Sequence, residues 1–173
     1  MFMDFLRNNK VAAGILTFIR LYVGYAWLTA GWGKVMGGFD AGGYLQGVVA
    51  NEAVMTQYPT YHAFIENVAV PNAGLFSFMV AWGELLVGLG LILGVFTTAA
   101  AFFGIMMNFA FMFAGTISSN PWLVLFTIFL LAAGANAGRF GGDRWVLPYL
   151  KASFTEREWL KNRLPHRKYT KAA

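Results

Sequence analysis

No cysteine occurs in the 173 residues. This excludes disulfides, thiolate nucleophiles, iron–sulfur clusters and any thiol relay within the chain. Histidine is almost as scarce. His62 and His166 stand far apart and outside the apolar runs, so a His-ligated haem or zinc site built from this chain alone is not expected. Charge is short too: Asp, Glu, Lys and Arg make up 12% of the residues, against roughly one quarter in an ordinary soluble domain. With 58% hydrophobic residues and 17% aromatics, the shortfall points to lipid as the solvent. Neither a nucleotide-binding loop nor an internal repeat interrupts the pattern.

The charge that is present is uneven. Of the 13 Lys and Arg residues, Lys151, Arg157, Lys161, Arg163, Arg167, Lys168 and Lys171 all follow Leu150. A basic segment over 151–173 reads as an orientation signal that meets anionic headgroups, and nucleic acid is not among the expected partners. The connection 36–70 holds Asp40, Glu52 and Glu66 but no Lys or Arg. The positive-inside rule therefore puts it outside the cell and both termini in the cytoplasm, the multi-pass topology of a bacterial cell-membrane protein.

Four apolar segments, at about 11–33, 72–94, 98–115 and 121–137, each approach the ~20 residues that ~30 Å of hydrocarbon demands. The expected fold is all-α, an integral membrane antiparallel four-helix bundle over residues 1–150. The first segment is too long for a signal-peptide core and carries Arg20, so it reads as a retained helix. Pro71 is placed to open the second helix and Gly94 to close it. Ser118-Ser119-Asn120-Pro121 supplies an N-cap and first-turn proline for the fourth. Tyr44, Leu45, Val48, Tyr58, Tyr61, Phe64 and Ile65 predict short interfacial helices in the outer loop 36–70, capping the bundle or acting as a substrate lid. Ser153-Phe154-Thr155-Glu156 reads as a capping box for a tail helix, with Phe154, Trp159 and Leu164 dipping into the inner interface.

Ionisable residues inside a membrane mark either function or a structural pair. Arg20 falls about nine residues into the first helix, Glu84 about twelve into the second and Asn108 about ten into the third, which puts all three roughly 13–18 Å deep. Two roles follow. Arg20 and Glu84 form a buried ion pair, with Asn108 satisfying leftover donors. Alternatively the cluster holds the head of a small ligand, with Trp27, Trp82, Phe78 or Phe111 as walls. In that case Arg20 and Asn108 hold a quinone carbonyl or a small anion, and Glu84 moves its proton. Lys34, Arg139, Asp143 and Arg144 lie near helix ends, where snorkelling is the ordinary explanation; as ligand contacts, Lys34 would attract an anion, and Asn136 and Arg139, spaced i, i+3 on the fourth helix, are further candidates. Gly24 and Gly31, Gly83, Gly88 and Gly90, and Gly104 give small surfaces for packing within one bundle or between copies in a homo-oligomer.

The stretch Arg20-Leu-Tyr-Val-Gly24-Tyr-Ala-Trp27-Leu-Thr-Ala-Gly31-Trp-Gly-Lys34 resembles the first-helix signature of the DoxX family. Gly83-Glu84-Leu-Leu-Val-Gly88-Leu-Gly90-Leu-Ile-Leu-Gly94 resembles its second-helix signature, and Gly138-Arg139-Phe-Gly-Gly-Asp143-Arg144 its usual close. The resemblance covers about residues 20–145. It implies a four-helix membrane subunit of a quinone-linked, thiosulfate:quinone oxidoreductase-like system, with quinone as the cofactor and a redox partner subunit. The alternative it implies is a non-catalytic scaffold for an oxidative-stress complex.

Overall fold

A computed structural model describes the backbone of residues 1–163 and the side chains through Ser153. Among them there is helix and no strand. A short α1 (Phe2–Asn8) ends at Asn9, whose side chain accepts from Val11 and Ala12 N–H and so starts α2 (Lys10–Gly37). The 28 residues of α2 span about 42 Å at 1.5 Å per residue. This helix outruns the expected 11–33 because Gly31 and Gly33 keep helical angles. It stops only at Gly38, whose φ of 66° is the left-handed conformation of a glycine C-cap.

The connection after α2 is a cap of three short helices: α3 (Ala41–Val49), α4 (Glu52–Gln57) and α5 (Pro59–Phe64). Asp40 and Asn51 cap the first two with their carboxylate and amide oxygens. Leu45, Val48, Val54 and Ile65 give the cap its own small core, joined by Ala114 from the bundle.

Pro71 does not open a new helix. After α5 the chain widens into a π turn (Ile65–Ala69), tightens into a 3-10 turn (Val70–Asn72) and enters α6 (Ala73–Leu93). The two irregular turns absorb the missing proline N–H and its ring, so one helical path runs from Pro59 to Leu93. Gly94, at φ 64°, ends it. Then follow α7 (Thr97–Phe113), α8 (Asn120–Ala133) closed by a 3-10 turn (Gly134–Gly138), and α9 (Asp143–Arg163). Pro121 sits in the first turn of α8 as expected, but Ser119 at the N-cap makes no side-chain capping bond. The backbone of α9 runs unbroken through 153–156, so no helix begins there; the side-chain roles expected of Phe154, Trp159, Leu164 and the basic residues beyond Lys151 lie outside the described residues.

The runs Lys10–Gly37, Pro59–Leu93 and Asn120–Gly138 are long and apolar enough to cross a membrane, and α7 is the shorter fourth. Their outward side chains confirm lipid as the solvent. Phe18 is 81% exposed, and Phe78, Phe103 and Trp122 are also exposed, a surface that water would not tolerate. Inside, Leu16, Val23, Trp27, Leu91, Ala101 and Leu130 form the core. The broadest contact joins α2 and α6, and glycine sets its closeness. A β-carbon on Gly31 would lie 2.7 Å from Leu85 Cα, and one on Gly88 2.5 Å from Leu28 Cα.

Candidate functional site

These glycine contacts fix the register. Gly24 faces Leu91 and Ile92, Leu28 faces Gly88, and Gly31 faces Glu84 and Leu85. Extending that antiparallel register puts Arg20 level with the end of α6, about ten residues or ~15 Å from Glu84. The expected Arg20–Glu84 pair is therefore not formed. Arg20 instead donates from Nη1 to Leu91 O at 3.0 Å and packs its guanidinium against Gly94 and Gly141. Depths counted from the ends of the apolar runs assume that the start of α2 and the end of α6 lie at one plane. In fact α2 extends well past the α6–α7 turn, where α1 and the 134–138 turn accompany it.

The partner of Glu84 is Lys34, with Nζ 2.6 Å from Oε2. Helical side chains lean toward their own N-terminus. Since α2 and α6 run oppositely, Lys34 leans down into the bundle and Glu84 leans up toward the cap, so they meet. The pair is buried unevenly: 27% of the Lys34 side chain is exposed and 3% of that of Glu84. Lys34 thus does not snorkel out of the bundle end.

The Lys34–Glu84 pair lines a cavity of about 390 Å³ beneath the cap, a volume within the usual range for small-molecule sites. Trp27 and Ala30 on α2, Phe76 and Val80 on α6, Phe111 on α7 and Leu123 on α8 form its walls. Phe39, Tyr44, Tyr61 and Phe64 close it from above, and Thr116, Ser118 and Ser119 stand at the rim. Three hydrogen bonds fasten the cap. Tyr61 Oη donates to Ala110 O at 2.8 Å, Tyr44 Oη and Thr116 Oγ1 share a bond of 2.9 Å, and Ala41 N donates to Ser77 Oγ at 2.8 Å.

The other expected site residues scatter. Asn108 is fully buried, level with Glu84 through the Gly83–Met107 contact, yet neither of its amide atoms has a partner. Trp82 is 42% exposed and rests beside Phe78 on the lipid face; two residues from Glu84 is more than half a turn around a helix. Neither ring lines the cavity. Asn136 and Arg139 lie at the opposite end of the bundle. There Asn136 Nδ2 donates to Leu6 O (2.7 Å) and Asn9 O (3.0 Å), and Arg139 Nη1 to Asn8 O (3.3 Å), clamping α1.

Sequence reasoning passed over the capping role of Asp143. Its carboxylate accepts from Phe96 N (2.7 Å) and Thr97 N (3.0 Å), capping α7 from across the molecule. Its own N–H donates to Gly94 O (2.7 Å), and that of Gly142 to Leu93 O (3.0 Å). The legible signal was Gly141-Gly142 before an Asp. A β-carbon on Gly141 would come within 2.7 Å of Gly94 Cα, so only glycine lets the two turns touch.

A family model, DoxX, matches residues 15–116. The match covers most of α2, the cap, α6 and α7, and so includes Trp27, Lys34, Glu84 and Asn108 but not the 138–144 close. No curated protein and no solved structure matches the chain.

Proposed function

Because the chain belongs to the DoxX family, we propose that it is the membrane subunit of a quinone-linked oxidoreductase of the thiosulfate:quinone type, with the quinone ring seated beneath the cap. The observation that carries this reading is the Lys34–Glu84 pair set in the wall of a largely apolar, aromatic-lined cavity. A flat ring suits walls such as Phe76 and Phe111, and its polar edge needs one fixed donor. Lys34 has three N–H donors; one stays on Glu84 and another is offered to a ring oxygen. Glu84, held out of bulk solvent, stores and passes one proton. A quinone held by Lys34 would supply a two-electron, two-proton acceptor, with Glu84 passing it one proton and water at the rim of the cavity the other.

The electrons come from two thiosulfate ions joining as tetrathionate, a step assigned to a redox partner subunit. With no cysteine here, any thiol or cluster in that step also belongs to the partner. The absence of Lys and Arg from 36–70 and their concentration after Leu150 favour a cap outside a bacterial cell membrane and termini in the cytoplasm.

The test is extraction of the purified protein and mass spectrometry for quinone, with Lys34→Met and Glu84→Gln alongside and thermal unfolding as the control for fold. Near-stoichiometric quinone in the wild type, falling at least tenfold in folded variants, is expected. A wild type that carries none, with variants that are only less stable, turns the pair into a structural element and the protein into a scaffold for a redox complex.

A further inference from the structure

Below the Lys34–Glu84 pair lie three polar atoms without partners: the indole Nε1 of Trp27 and both amide atoms of Asn108. Trp27 is 3% exposed and Asn108 not at all. They approach one another through Gly104. A β-carbon on Gly104 would lie 3.3 Å from Trp27 Nε1, so the indole nitrogen rests against that glycine. Asn108 is the next turn of the same helix face, and its side chain leans back toward residue 104. The other orphaned buried side-chain atoms among the described residues, Arg20 Nε and Thr97 Oγ1, are a separate group about seven residues, or ~10 Å, further down.

The donor and acceptor inventory defines what fits. Trp27 offers one N–H, and Asn108 offers N–H groups and a carbonyl oxygen. A carbonyl ligand would satisfy the donors and leave Asn108 Oδ1 bare; a cation would do the reverse. An oxygen bearing hydrogen accepts from both residues and donates to Oδ1. Buried groups of this kind are ordinarily bridged by an ordered water. We propose that Trp27 and Asn108 form a binding site for one hydroxylic oxygen, either a buried water or the O–H of a molecule in the cavity above. Trp27 also lines that cavity, so the site adjoins it through the indole. The inference rests on orphaned atoms and not on quinone chemistry; a protein that retains no quinone would still hold the water.

The experiment is nuclear magnetic resonance on the ¹⁵N-labelled full chain in micelles, with the Trp27 indole signal assigned by its loss in Trp27→Phe. A cross-peak between that indole proton and water is expected, and it should vanish in Asn108→Leu while the other five indole signals stay in place. Should Asn108→Leu not fold, Trp27→Phe gives the same reading at the Asn108 side-chain amide, which should then move. Adding 1,4-benzenediol or 1,4-benzoquinone separates the two oxygen sources. Water in the site gives the cross-peak without either compound. A cavity hydroxyl gives an indole contact with the diol and none with the quinone. No contact with water or diol overturns the proposal, as does a direct Trp27–Asn108 bond, seen as an indole shift in Asn108→Leu with no water cross-peak in the wild type.

Discussion

Removing Lys34 should cost more than removing Glu84, although they are two ends of one bond. In Lys34→Met a carboxylate whose side chain is only 3% exposed loses its cation. Stranding a buried charge this way costs roughly 3–5 kcal/mol. In Glu84→Gln the stranded group is the ammonium, 27% exposed on a flexible stem. It keeps part of its solvation and a neutral amide acceptor, so the loss should be nearer the about 1.5–3 kcal/mol of a charged hydrogen bond. The double variant Lys34→Met/Glu84→Gln closes the cycle and buries no charge, and replacing a whole buried ion pair by uncharged groups costs far less than breaking it. It should therefore be more stable than Lys34→Met alone, with a coupling energy of about 3 kcal/mol in the cycle. The assay is reversible denaturant unfolding in mixed micelles, followed by circular dichroism. Equal losses in the single variants that simply add in the double would refute the reasoning, because they would mean that the two groups do not share a desolvated environment.

Three further outcomes follow from the same geometry. Gly31→Ala and Gly88→Ala force β-carbons onto the facing backbone and should lower stability by about 1–3 kcal/mol or more; Gly14→Ala and Gly33→Ala, with nothing within 4 Å, should be neutral or gain up to about 1 kcal/mol, all read from the same unfolding curves. Asp143→Ala leaves the Phe96 and Thr97 N–H groups unpaired and removes a carboxylate that favours the charge of Arg20, for a loss of about 0.5–2 kcal/mol. Tyr61→Phe removes one bond between cap and α7, worth about 1 kcal/mol, and hydrogen exchange should speed up in α3–α5 while α2 and α6 stay protected.

How much of this was legible depended on whether a residue acts along its own helix or between helices. Hydropathy gave the spans, and Gly94 and Pro121 marked ends where they are observed, because caps are local events. The helical path through Pro71 was hidden, since proline in sequence reads as a break and only the cap packed around 65–72 stabilises the π and 3-10 turns that carry it. The helix Phe2–Asn8 was hidden for a like reason: Arg7 and the carbonyl of Leu6 are bound to Ala132 and Asn136, more than a hundred residues away.

The site itself turned on register, which apolar run lengths do not contain. Arg20, Trp27 and Lys34 are spaced by seven on one stripe of α2, and each is a candidate partner for Glu84 until the sliding of α2 against α6 is fixed. Gly24, Gly31 and Gly88 fix it, because each must sit where the other backbone comes closest. Matching Gly31 to the Glu84–Leu85 step from sequence alone would have chosen Lys34 and sent Arg20 to the α6–α7 turn. Small residues on facing helices therefore carry more positional information than the charges they bring together. In a membrane bundle, where lipid does not press helices together as water does, close glycine contacts are what hold the register, and an ion pair such as Lys34–Glu84 is where that register becomes visible.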